Sequence, residues 1–268
     1  MKIKDEIVVI TGGASGIGKI MGRTALEKGA ACLVIWDINE KNLEATVSEF
    51  SKLGKVKGYK VDVSDIESID KAYEATKAEC GPVGILINNA GIITNNKTFD
   101  AQTDQDIIRT MNINSVAPML LTRRVLPDML ERNHGHICTI ASAAGLLAMP
   151  KLSVYAASKW ASFGWSESMR IELQEAKSKV RVTTVAPYFI NTGMFDGIQP
   201  KVFKLLNPEK TAKTIIRAIE KDKRICGMPF AFRFIRFNQG LMHAKLFDWV
   251  FGSVCGVYDS MTHFVGRK

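Results

Sequence analysis

Short strand-like segments, continuously apolar at 7–10, recur along this chain at 31–36, 57–61, 83–87, 136–140, 180–185 and 224–227, with amphipathic segments between them. An unbroken apolar run suits a strand buried on both faces, which is the situation in parallel sheets covered by helices. The alternation therefore predicts an α/β fold: a doubly wound parallel sheet flanked by helices, with right-handed crossovers. The longest helical pattern covers 104–132, with Pro118 as a kink or a start. In this register the glycine-rich and polar signals fall at the carboxyl ends of strands, where open α/β sheets bind their ligands.

A chain of 268 residues, 46% hydrophobic and 24% charged, has the balance of an ordinary globular protein with a sizeable core. No repeat or low-complexity linker interrupts it. The simplest division is one domain over 1–228 and a hydrophobic, basic extension over 229–268. The net charge of +9 belongs to the last quarter, where 13 Lys and Arg face 5 Asp and Glu from residue 201 onward. The main body is nearly neutral, which argues against a nucleic-acid groove. Five singly spaced cysteines suggest neither a zinc knuckle nor a disulfide framework, and fit a reducing, intracellular compartment. The apolar run 7–10 is too short for a signal peptide, and 246–258, broken by Asp248, is too short to span a bilayer. The expected location is cytoplasmic, with a membrane surface open as a docking place.

Thr11-Gly12-Gly13-Ala14-Ser15-Gly16-Ile17-Gly18 joins the first strand to the first helix. Gly12 can take a positive φ, Gly16 lets the backbone approach a pyrophosphate, and Gly18 lets helix pack on strand. The N–H groups opening that helix then face the phosphates. Asp37, at the end of the second strand, can hold an adenosine ribose and would repel a 2′-phosphate. No Arg or Lys follows at Ile38, so NAD is favoured over NADP; the competing role for Asp37 is as a helix cap. Asp62 is placed for an adenine edge, and the Asn88-Asn89-Ala90-Gly91 turn for the adenosine half.

Ser142, Tyr155 and Lys159 lie thirteen and then four residues apart. Tyr155 and Lys159 are one helical turn apart and project from one face. A phenol ordinarily ionises near pH ~10, and a fixed ammonium beside it favours the phenolate. Ser142 adds a hydroxyl that can hold a substrate oxygen. These are the parts for moving a proton on and off an alcohol.

Together with Asp62-Val63 and Asn114, these motifs resemble the short-chain dehydrogenase/reductase family over roughly residues 5–227. The resemblance implies a Rossmann-type sheet of about seven strands and a tetrad of Asn114, Ser142, Tyr155 and Lys159. Tyr155 would be base in oxidation and acid in reduction, and Ser142 would stabilise the substrate oxygen. Lys159 would bind the nicotinamide ribose and lower the phenol's pKa, and Asn114 would hold a water linking Lys159 to solvent. Cofactor contacts would come from Gly12, Ser15, Gly16, Ile17 and Gly18, from Asp37, Asp62 and Val63, and from Asn89, Ala90 and Gly91. Ile190 and Thr192 would hold the carboxamide. Direct hydride transfer needs no metal, and a homo-oligomer, dimer or tetramer, is implied.

One departure concerns the sixth strand, where the family commonly has Pro-Gly and this chain has Pro187-Tyr188. The form Pro-Tyr-x-x-x-Thr-Gly-Met-Phe, with Glu131-Arg132-Asn133-His134-Gly135-His136, resembles the branch of retinol and 17β-hydroxysteroid dehydrogenases. Leu147 near the expected site and an apolar lid over 188–206 predict substrate contacts from Leu147, Tyr188, Met194 and Phe195. A lipophilic alcohol or ketone such as a retinoid, steroid or long-chain alcohol follows, unless these residues simply pack on the core or a partner. In the extension, Phe230, Phe234, Phe237 and Leu241 recur at helical spacing beside Arg233, Arg236 and Lys245. Such an amphipathic helix can lie on a membrane, cover the substrate mouth or pack on another subunit. The competing functions are a reductase of small polar or acyl-carrier carbonyls and a non-catalytic nucleotide sensor.

Overall fold

Val8, Val9 and Ile10 in β1 (Ile7–Thr11) have no exposed surface, and β2 (Cys32–Asp37), β4 (Ile85–Asn88) and β5 (His136–Ile140) are almost as deeply buried. Burial on both faces is what their unbroken apolar runs require. The computed structural model describes residues 1–266. Within them β3 (Val56–Lys60), β6 (Arg181–Pro187) and β7 (Ile225–Met228) complete a seven-stranded parallel sheet in the order β3-β2-β1-β4-β5-β6-β7. The chain builds outward from β1 to β3 and then returns to add β4 on the other side of β1. At that reversal the loops after β1 and β4 open a crevice above the sheet.

Helices α1 (Gly16–Glu27), α2 (Glu40–Phe50) and, late in the chain, α7 (Pro208–Glu220) cover one face through Met21, Phe50, Ile215, Ile216 and Ile219, all without exposed surface. Each side chain so buried stabilises by roughly 1.5–3 kcal/mol, against a net stability of about 5–15 kcal/mol, so neither face is dispensable. The other face is covered by α3 (Ile66–Cys80), α5 (Ala117–Glu131) and α6 (Ser153–Glu175).

The helix expected over 104–132 is three pieces: α4 (Asp104–Met111), a π-helical turn (Asn112–Val116) and α5. Pro118 sits in the first turn of α5; without an N–H it cannot continue a regular ladder, and the turn before it widens.

The extension likewise is not one amphipathic helix. It breaks into a 3-10 turn (Phe230–Phe234), α8 (Ile235–Leu241), α9 (Ala244–Phe247) and a π turn (Asp248–Val254). Phe232, Ile235, Val257 and Met261 bury themselves beside Tyr188 and Phe189 in a third apolar cluster above the strand ends. Phe230, Phe237, Leu241 and Trp249 point outward, each at least 60% exposed. Among the described residues no helix is long and apolar enough to cross a membrane.

Candidate active site

The turn after β1 depends on its glycines. Gly12 and Gly16 have φ of 61° and 55°, in the left-handed region that side chains avoid. A Cβ on Gly18 would run into the Gly12 carbonyl and lie 2.6 Å from Asn89 Nδ2. The same Asn89 amide donates to the carbonyls of Thr11 and Gly12 at 2.9 and 3.0 Å, while Thr11 Oγ1 accepts from the N–H groups of Asn89 and Ala90 at 3.0 Å each. The loops after β1 and β4 are thereby tied into one surface. They border a cleft of about 370 Å³, with the start of α1 on one wall.

At one end of this cleft Asp37 closes β2. Its Oδ2 accepts from Ala14 N at 2.9 Å and its Oδ1 from Asn39 N at 3.0 Å. Asn39, not Asp37, caps α2, accepting from Asn42 N at 3.0 Å. The Asp37 carboxylate is thus braced on the glycine turn. Asp62 Oδ1 accepts from Ser64 N and Oγ at 2.9 and 2.6 Å, so one of its oxygens serves its own turn. Asp62 and Val63 line the cleft together with Ser15, Ile17, Ala90 and Gly91. Arg109 and Ile113, a helical turn apart, also line it; spacing marks them as one face but does not say that the face meets the crevice.

At the other end, β5 delivers Ser142 to a 3-10 turn, where its Oγ accepts from Ala144 N at 3.1 Å. Gly145 lets α6 pack against that turn, since a Cβ there would lie 2.7 Å from the Lys159 carbonyl. Ser142, Tyr155 and Lys159 consequently meet in the cleft at 9, 7 and 5% exposure. Lys159 Nζ donates to the Ile140 carbonyl at 2.9 Å and lies 5.8 Å from the Tyr155 ring centroid.

Burial pushes the Tyr155 phenol up to about 12, and a hydrogen bond from Ser142 acts the other way. The same burial pulls Lys159 down to about 8. This corrects the expectation that the ammonium lowers the phenol's pKa in the bare site. Desolvation penalises both charged forms, and the lysine head turns to a carbonyl.

Asn114 does not line the cleft, and its side chain is engaged by protein. Its Oδ1 accepts from Ile92 N at 2.8 Å, and its Nδ2 donates to the Ile92 carbonyl at 3.0 Å and Ser158 Oγ at 3.1 Å. Its place in the π turn lets it fasten the loop after β4 to α6, near Gly91, where a Cβ would be 3.2 Å from Asn114 Oδ1 and 3.4 Å from Lys159 Nζ.

On the substrate side Ile190, Thr192, Met194 and Phe195 line the cleft, and Phe195 meets Tyr155 edge-on at 6.4 Å. Tyr188 reaches the cleft, but its ring is packed among Phe189, Phe203 and Phe232 at 4.6, 5.9 and 5.0 Å. Leu147 departs from expectation: it is 2% exposed, lies in the third apolar cluster and does not line the cleft. The chain end closes over this side. Val265 N and Gly266 N donate to the Asp196 carbonyl at 2.8 and 3.2 Å, and Asn96 Nδ2 to the Met261 carbonyl at 2.8 Å.

The glycine cradle, the helix start and the braced carboxylate fit a dinucleotide lying across the switch point. Among the described residues, no cluster of His, Cys, Asp or Glu is arranged to hold a metal.

Residues 6–202 match the short chain dehydrogenase family. The chain is 34% identical to human epidermal retinol dehydrogenase 2, covering 99% of this chain and 87% of the relative. It is 36% identical to human estradiol 17-beta-dehydrogenase 11, covering 87% and 78%. A short chain dehydrogenase/reductase from Burkholderia phymatum, solved in complex with NAD, superimposes with a TM-score of 0.81 at 25% identity, covering 90% of this chain and 95% of that one.

Proposed function

The chain belongs to the short-chain dehydrogenase family and is an oxidoreductase of the alcohol dehydrogenase type using a nicotinamide cofactor; from that premise we propose that it exchanges hydride between NAD and a lipophilic alcohol or ketone. The observation that carries the proposal is the meeting of Ser142, Tyr155 and Lys159 in one cleft with Asp37 at its far end and apolar Met194 and Phe195 at the near end. When bound, the nicotinamide supplies the hydride acceptor or donor. The protein's own groups handle the proton. Ser142 Oγ holds the substrate oxygen, and Tyr155 Oη takes the hydroxyl proton in oxidation and returns it in reduction. Lys159, an ammonium below about pH 8, places positive charge beside the phenol and a donor beside the ribose site. Asn114 fixes the loop and helix that carry these groups.

The decisive measurement is reduction of NAD and NADP across retinol, steroid, fatty-alcohol and short-alcohol panels, with activity expected on the lipophilic members. Asp37 makes cofactor choice a separate prediction. A 2′-phosphate would meet its carboxylate, and like charges held together cost several kcal/mol. Asp37→Ser is expected to raise the NADP-to-NAD ratio of kcat/KM by about tenfold or more. The ratio is the right readout because Asp37 also braces Ala14 N. Wild-type activity confined to NADP would remove this role.

The outward stripe of Phe230, Phe234, Phe237, Leu241 and Trp249 supports a peripheral contact with a membrane, where lipophilic substrates accumulate. Arg233, whose guanidinium lies 5.0 Å from the Phe230 ring, and Lys245 give it the charge for anionic headgroups. Phe237→Glu with Leu241→Glu is expected to weaken sedimentation with phosphatidylserine-containing vesicles by about a hundredfold or more, since two bulky side chains would otherwise enter the interface. Self-association without vesicle binding would give the stripe to a second copy instead. A homo-oligomer through the outer sides of α5 and α6, where Leu130 and Trp160 are exposed, with Val116 at the end of the π turn beside them, is part of the same proposal.

A further inference from the structure

Two of the cysteines meet although 48 residues separate them in sequence: Cys32 Sγ lies 3.2 Å from Cys80 Sγ and donates to it. Among the described residues this is the only pair of sulfurs within hydrogen-bonding distance. Cys32 opens β2 between β1 and β3 and is 1% exposed. Cys80 is the last residue of α3 and only half-buried, so of the two it is the residue open to solvent. A disulfide holds its sulfurs about 2.0 Å apart, so bonding the pair takes a shift of about 1 Å. The helix end can supply it, because α3 stops at Cys80 and the next residue, Gly81, turns the chain away at φ 99°.

The two sulfurs stand in different surroundings. Burial pushes the Cys32 thiol up to about 12, with the bond to Cys80 acting the same way and the ammoniums of Lys55 and Lys57 acting against both. Cys32 therefore rests as a protonated thiol. Lys57 Nζ pairs with the Glu79 carboxylate at 2.6 Å, and Lys55 Nζ donates to the Glu79 carbonyl at 3.4 Å, which keeps both ammoniums next to Cys80 in the chain. A partly exposed thiol beside cations is the setting in which cysteines react. Cys138 and Cys226, by contrast, have no exposed surface, and burial pushes both thiols up.

We propose that Cys80 and Cys32 form a peroxide-reactive dithiol site, in which a hydroperoxide converts the pair to a disulfide joining α3 to β2. The Cys80 thiolate attacks one peroxide oxygen; an S–O bond forms, the O–O bond breaks, and the leaving oxygen takes a proton from solvent. Cys80 is then a sulfenic acid, oxidised by two electrons, and the peroxide has been reduced by two. The Cys32 sulfur next bonds to the Cys80 sulfur and displaces its hydroxyl, which departs as water with the Cys32 proton. Two thiols and one hydroperoxide thus yield one disulfide, one water and one alcohol, or a second water when the oxidant is hydrogen peroxide. Glutathione, by thiol–disulfide exchange, restores the pair. The thiols lie at the amino end of β2 and the cleft at its carboxyl end, beyond Asp37, so neither step draws on NAD or the alcohol.

The test treats the full-length wild type with hydrogen peroxide, blocks remaining thiols by alkylation and maps the peptides without reduction. The expected product is a peptide pair linked through Cys32 and Cys80, two hydrogens lighter than its parts and separated again by glutathione. Cys32→Ser should stop at the sulfenic acid, trapped on Cys80 by dimedone. Cys80→Ser should consume peroxide more slowly than the wild type by about tenfold or more. A wild-type map in which Cys80 stays a free thiol, or runs on to sulfinic acid without a link to Cys32, overturns the site. Peroxide consumption unchanged in Cys80→Ser does the same. The wild-type map decides by itself where either variant fails to fold, and its outcome is independent of whether the protein oxidises alcohols.

Discussion

Replacing Tyr155 by phenylalanine is expected to lower turnover by about a thousandfold or more, within reach of what a positioned acid–base group contributes, while cofactor affinity changes by no more than about threefold. The ring stays: it is 7% exposed, packs edge-on against Phe195 and loses only a hydroxyl. The cofactor cradle at Gly12, Gly18 and Asp37 lies along the far part of the same cleft and is untouched. The proton path is not. With the phenol pushed up to about 12 by burial, Tyr155 rests as an acid, and oxidation draws on the small fraction of phenolate. That fraction grows as pH rises, so wild-type oxidation should accelerate and reduction should slow up to about pH 8, above which Lys159 loses the charge it places beside the phenol. Tyr155→Phe should lose this dependence with its activity. Steady-state rates over a pH series, with cofactor binding followed by fluorescence, check all three points. Persistent turnover in Tyr155→Phe would place the base elsewhere.

The parts of this site that the sequence made legible depend on neighbours close along the chain. Tyr155 and Lys159 share a face because they share a turn of α6, and the Gly12–Gly18 turn is local as well. Strand ends converge because a doubly wound sheet must bring them to one edge, so Ser142 and Asp37 could be placed from the pattern of apolar runs. Other features arise from contacts between distant segments. Asn114 was legible as a motif residue, but its bonds to Ile92 and Ser158 depend on a π turn that no periodicity announces. Leu147 follows Ser142 closely in sequence, yet the turn after Gly145 sends it into the apolar cluster and away from the cleft. Burial decides the Tyr155 and Lys159 pKa values, and that burial comes from segments distant in sequence, Phe195 against the Tyr155 ring and Ile140 and Gly91 around the Lys159 head. The chain end closing over Asn96 and Asp196 joins segments more than sixty residues apart and left no local trace.

Gly18→Ala should weaken cofactor binding more than any change to a charged residue of the cleft. The added methyl would be driven into the Gly12 carbonyl, a backbone atom that already accepts from Asn89 Nδ2 at 3.0 Å and cannot swing aside as a flexible side chain would. Either α1 moves off the sheet or the glycine turn opens. Both displace the N–H groups that open the helix, the ones a pyrophosphate needs. Overpacking of this kind costs about 1–3 kcal/mol, and at roughly 2–4 °C per kcal/mol for a chain of this size the melting temperature should fall by about 2–12 °C. NAD affinity should fall by about a hundredfold or more, because misplacing the cradle by ~1 Å forfeits several charge-assisted bonds at once. Gly164→Ala supplies the control. It is also a helical glycine, in α6, but a Cβ there meets nothing within 4 Å. Removing glycine's backbone freedom in a helix stabilises by about 0.5–1 kcal/mol, so this variant should melt slightly higher and bind NAD as the wild type does. Thermal melts and NAD titration of the two variants together distinguish a steric cradle from a general intolerance of alanine. Wild-type NAD affinity in Gly18→Ala would show that the turn after β1 does not hold the phosphates.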